Sequence, residues 1–166
     1  MKILNFSLFL VLAIVASVPV LGQVNPAKVK VRGVGLNSTY AQVVKALGRP
    51  VKDGKPTEEG CIGAHEKNVE FAGASFYFMD GDSKNGKTFE AKAFDVTSAK
   101  YVVSGVKVGD AEAVVRRVFG RKYTVKTDDG VKSWSYEMDP HLGPGWTTFE
   151  FKNGKIVKIS SSYHVC

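Results

Sequence analysis

The sequence predicts an α+β fold of two tandem helix-plus-antiparallel-sheet repeats, with the helices packed on one face of an eight-stranded or split sheet. Three observations carry that expectation. Residues 31–49 (VRGVGLNSTYAQVVKALGR) and 103–121 (VSGVKVGDAEAVVRRVFGR) align without a gap at an offset of 72, and seven of their nineteen positions are identical. Each segment has the start and stop signals of a short helix. Each is followed by runs in which apolar and polar residues alternate, the period of a half-buried strand. The implied division is a leader over 1–22, a first helix-sheet repeat over 23–104 and a second over 105–166.

The leader comes first. Residues 1–22 read MKILNFSLFLVLAIVASVPVLG, with Lys2 ahead of an apolar run from Phe6 to Val15 and small residues at Val20 and Gly22. This is the pattern of a signal peptide cleaved near Gly22. The expected location is therefore secreted or periplasmic, with no integral membrane span in the mature chain. No cysteine follows Gly22 to be lipidated; the next residue is Gln23.

The helices are expected near 38–47 and 110–119. Ser38 and Asp110 are residue types that cap a helix start by accepting from its first free backbone N–H groups. Tyr40, Val43, Val44 and Leu47, and then Val114, Val115, Val118 and Phe119, recur at helical spacing. Gly48 and Gly120 follow, where a left-handed stop is least strained for glycine.

Strands come next in each half. Phe76 and Phe78 lead to Asn85-Gly86-Lys87 and a return over Phe89–Val96. In the second half Trp134, Tyr136 and Met138 alternate with Ser133, Ser135 and Glu137. Thr147–Phe151 then meets Lys152-Asn153-Gly154-Lys155, and Val157, Ile159, Ser161 and Tyr163 continue beyond. Asn-Gly suits the positive backbone angles of a tight hairpin. Residues 51–65 and 139–145 read as loops.

The arrangement of Gly105, Val108, Gly109, Asp110, Val114 and Gly120, repeated more loosely in Leu36, Ser38, Val43 and Gly48, resembles the repeats of the beta-lactamase-inhibitor-protein-like fold. Outer-membrane assembly lipoproteins of the SmpA/OmlA kind carry one such unit. Val96-Thr97-Ser98 ahead of the second unit and the terminal Cys166 are more similar to exported bacterial proteins of uncharacterised function. The resemblance implies protein binding and implies no contact residues.

Charge and chemistry narrow the function. Lys and Arg total 23 against 16 Asp and Glu, a net charge of +7, but the lysines are scattered and form no phosphate-binding stripe. With export, this argues against a nucleic-acid partner. Cys61 and Cys166 are the only cysteines and are expected to form a disulfide in an oxidising compartment. His65, His141 and His164 have no metal-ligand spacing, and Asp80–Gly86 reads as a polar hairpin tip rather than a calcium loop. No cofactor, metal or catalytic residue is assigned. Of the strand aromatics most are expected to be core against the helices; Tyr77, Trp134, Tyr136 and Trp146 form the candidate binding face, since an antiparallel sheet can leave one face open. The favoured reading is a non-catalytic exported or envelope-associated protein-binding module, its partner another exported or envelope protein. The alternatives are a small secreted hydrolase using His141 and a ligand-binding cup of cystatin-like type.

Overall fold

The computed structural model describes residues 24–58, 63–81, 86–138 and 144–164. The leader, Cys61, His141 and Cys166 lie outside the described residues. In chain order the elements are a 3-10 turn (Pro26–Lys28), β1 (Lys30–Val31), β2 (Val34–Gly35), α1 (Tyr40–Leu47), β3 (Lys52–Asp53), β4 (Thr57–Glu58), β5 (His65–Phe71), β6 (Ala74–Met79) and β7 (Glu90–Val96). Then follow α2 (Glu112–Phe119), β8 (Thr124–Asp128), β9 (Val131–Glu137), β10 (Gly145–Lys152) and β11 (Lys155–Tyr163).

The strands form one large antiparallel sheet in the order β3-β5-β6-β7-β11-β10-β9-β8, with β4 also paired to β5 and β1–β2 standing apart as a hairpin. This overturns the expected architecture. The protein is mostly β, with two eight-residue helices, and is not two tandem helix-plus-sheet repeats. The physical reason lies at the centre of the sheet. β7 pairs with β11, placing Val96 opposite Ile159 and Phe94 opposite Ser161. Either strand alone would present an edge of unpaired N–H and C=O groups. Their union removes two edges and lets one core form. Phe76, Phe94, Phe149 and Ile159 share a single buried cluster with Val43 and Leu47 of α1 and Val115 and Phe119 of α2. Burying each such side chain contributes on the order of 1.5–3 kcal/mol.

The helices lie where the spacing put them, but their caps are shifted by one residue. Thr39 caps α1 in a reciprocal capping box with Gln42, and Ala111 at the start of α2 gives no side-chain cap. Ser38 Oγ instead accepts from the Gly35 N–H, and Asp110 Oδ2 from the Lys107 N–H. Both side chains close the turn before the helix rather than the helix itself. Gly48 and Gly120 end the helices at φ 93° and 86°. The hairpin at Asn153-Gly154 adopts φ 53° and 70°, the paired positive angles that Asn-Gly favours. The stretch 51–65 read as a loop carries β3, β4 and the first residue of β5. These are short, exposed edge strands whose sequence has no alternation to reveal them.

Candidate functional site

One face of the sheet packs on the core and the other is uncovered by any helix or hairpin of the described residues. The 3-10 turn, the β1–β2 hairpin, both helices and the 97–111 segment send Val29, Val31, Val34, Tyr101, Val103 and Val106 into the same core as the helices' own apolar residues. Because side chains alternate along a strand, the registers define the opposite face. One cross-strand row takes a residue from each strand of the main path: Lys52, Glu70, Ser75, Asp95, Ser160, Thr148, Ser135 and Thr124. Ser135 Oγ and Thr148 Oγ1 are 3.0 Å apart, and Lys158 Nζ reaches Asp95 at 3.1 Å.

The adjacent row runs Asn68, Tyr77, Ala93, Ser162, Trp146 and Glu137. It sets Tyr77 and Trp146 on either side of two small residues. Three strand spacings, about 14 Å, separate their backbone positions. Trp146 is 41% exposed and meets the His164 ring edge to face, centroids 6.2 Å apart. Tyr77 is half-buried and its hydroxyl donates to the Glu66 carboxylate. The row therefore has an aromatic side chain at each end of a floor formed by a methyl and a hydroxyl.

The other two aromatics of the expected binding face are elsewhere. Trp134 and Tyr136 are 3% and 2% exposed and face the core. Trp134 stacks on Tyr123 at 4.3 Å and packs on Phe151. Tyr136 packs on Phe119 and Phe149, and its hydroxyl donates to the Gly120 carbonyl at 2.9 Å. The reason is the period-two rule itself. On β9 the aromatic side faces the core, and Ser133, Ser135 and Glu137 face outward.

A second arrangement was not legible in the sequence. Asp80, whose side chain is fully buried, accepts from the His65 N–H at 2.8 Å, from the Gly86 N–H at 2.7 Å and from His65 Nδ1 at 3.0 Å. Burial by itself would raise the Asp80 pKa, but the two backbone donors and the imidazole outweigh it and hold the carboxyl below its ordinary range. An ionised Asp80 can only accept, so His65 Nδ1 is the donor of their 3.0 Å contact. The dyad can thus orient an imidazole, and Asp80 ties the Gly86 backbone to β5. Residues 82–85 lie outside the described residues. The signal that finds the pair is the β5–β6 register, with Glu66 opposite Met79, which brings the flanking His65 and Asp80 together.

A cleft of about 460 Å³ opens between the α2–β8 connection and β9, lined by Arg121, Lys122, Tyr123, Ser135 and Glu137 among others. Among the described residues no group of three or more His, Cys, Asp or Glu side chains could hold a metal ion. Nor is any helix among them long and apolar enough to cross a membrane. No family model matches the chain, and no curated protein matches it. Among solved structures it is similar to an extracellular protein containing a SCP domain from Bacillus anthracis str. Ames, with a TM-score of 0.46 and 9% identity over 77% of this chain. The similar region spans 44% of that protein's chain.

Proposed function

We propose that this chain is an exported, non-catalytic binding module that takes another exported or envelope protein on the uncovered face of its sheet. The observation supporting this is the row from Asn68 to Glu137, in which Tyr77 and Trp146 flank Ala93 and Ser162. Aromatic side chains framing a shallow floor are suitable anchors for a protein surface. The surrounding Ser, Thr and charged side chains supply a polar rim. The leader pattern over 1–22 accords with export, where the two cysteines of the sequence, Cys61 and Cys166, would be expected to pair. The test is site-specific photocrosslinking in the exported fraction. A crosslinker at Ser160, on the uncovered face, should trap one reproducible protein species, and the same group at Lys45 of α1 should not. Trp146→Ala should weaken the Ser160 product. Equal products from both positions, or none from Ser160, would sink the proposal.

A further inference from the structure

A second surface, on the helix side of the molecule, has a different chemistry. The β1–β2 turn and the flank of α1 border a shallow, open cleft of about 520 Å³ lined by Lys30, Arg32, Gly33, Val34, Ser38, Gln42, Lys45 and Ala46. Three of these side chains are cations and none is an acid. None of the three takes part in an ion pair among the described residues. Three like charges around one cleft repel one another, and a bound anion relieves that repulsion.

Two neutral side chains of the lining, Ser38 and Gln42, also offer donors. Ser38 Oγ already accepts from the Gly35 N–H, so its hydroxyl proton remains to donate. Gln42 Oε1 accepts from the Thr39 N–H at 2.8 Å in the capping box. That bond fixes the amide's orientation and leaves its NH₂ group to donate. The walls are anchored. Val31 and Val34 fix the hairpin in the core, Val43 and Leu47 fix the helix, and the Lys30 N–H donates to Ser104 Oγ at 3.0 Å. Arg32 lies over the Tyr101 ring, 5.5 Å from its centroid. Little ordering of the backbone is then needed when a ligand enters.

We propose that this cleft binds a phosphate-bearing anion. Several negative oxygens on one group match three cations and two neutral donors better than a single carboxylate does, and the guanidinium fork suits phosphate geometry. The source is a soluble phosphate ester or a phospholipid headgroup. The site is separate from the uncovered sheet face and stands whether or not a protein binds there.

The experiment uses the protein with inorganic pyrophosphate, followed by heteronuclear NMR, and in parallel with phosphatidylcholine vesicles containing about a quarter phosphatidylglycerol, followed by co-sedimentation. Pyrophosphate should shift the amides of Gly33, Ser38, Gln42 and Ala46. Arg32→Glu with Lys45→Glu should weaken binding at least about tenfold. The same charge change at Arg117 and Lys126 should weaken it far less, with all variants checked for folding by circular dichroism. Cleft-dependent binding of pyrophosphate assigns the soluble source, and cleft-dependent binding of vesicles alone assigns the headgroup. Binding to neither, or equal losses from the two charge changes, overturns the proposal.

Discussion

Tyr136→Phe separates a core tyrosine from a binding-face tyrosine by removing one oxygen atom. The ring is 2% exposed, and its contacts with Phe119, Tyr123 and Phe149 survive in phenylalanine. What disappears is the 2.9 Å bond to the Gly120 carbonyl. That carbonyl belongs to the buried residue that stops α2 at φ 86°, so the substitution also strands an acceptor. A net bond of about 1 kcal/mol plus part of the desolvation penalty of the orphaned carbonyl gives a loss of about 1–2 kcal/mol. For a domain of this size that lowers Tm by roughly 3–8 °C. Urea denaturation followed by tryptophan fluorescence measures it, and the midpoint should fall without a change in slope. There is a second readout at high pH. Burial pushes the Tyr136 phenol well above its ordinary value. The folded protein then keeps a proton that the unfolded chain releases above about pH 10, so stability falls as pH rises through that range. Tyr136→Phe should flatten this alkaline loss. A variant as stable as the parent, or one that loses partner binding at full stability, would refute the assignment of Tyr136 to the core.

Three further outcomes are expected. Asp80→Asn replaces an acceptor oxygen with an NH₂ group near the His65 and Gly86 donors, so hydrogen exchange at the Gly86 amide should accelerate. Because the Asp80 carboxyl is held below its ordinary range, its contribution is present above the unfolded value and lost as pH falls through the folded one, and the variant should show a flatter acid limb. Tyr40 donates to Asp53 and its pKa is pushed up to about 12, first by that bond and then by burial and the Asp53 charge. Its contribution is present below pH 10 and lost as pH rises toward 12, so Tyr40→Phe should also reduce the alkaline loss seen in denaturation curves. Gly73→Ala puts a Cβ 2.2 Å from Ser98 Cβ at a φ of +89° and should cost about 2–3 kcal/mol by chemical denaturation.

The helices were legible because their apolar spacing and glycine stops are local signals, and Val43 and Val115 are buried as that spacing requires. The sequence leaves the choice between one continuous sheet and a split one open. Nothing in Phe89–Val96 or Val157–Tyr163 distinguishes two edges from a pair, since pairing at a separation of more than sixty residues leaves no local trace. The composition of the uncovered sheet face was half legible. Period-two alternation groups Trp134 with Tyr136, but which group faces the core depends on where α2 and its Phe119 pack. Trp146 begins its strand next to Gly145, with the opposite phase, and so reaches the uncovered face. The His65–Asp80 pair required the β5–β6 register.

The pairing of β7 with β11 also dictates an order of events in synthesis. β11 lies between β7 and β10 in the sheet, yet it emerges after all the other described strands. Until it docks, β7 keeps an open edge beside Phe94 and Val96, and the core around Phe149 has no Ile159. A nascent chain cannot complete its domain in stages from the amino terminus. Contacts this distant in sequence must form late and together, which favours slow, concerted folding once β11 is available. Before that moment the unpaired β7 edge is the segment most in need of a chaperone's cover.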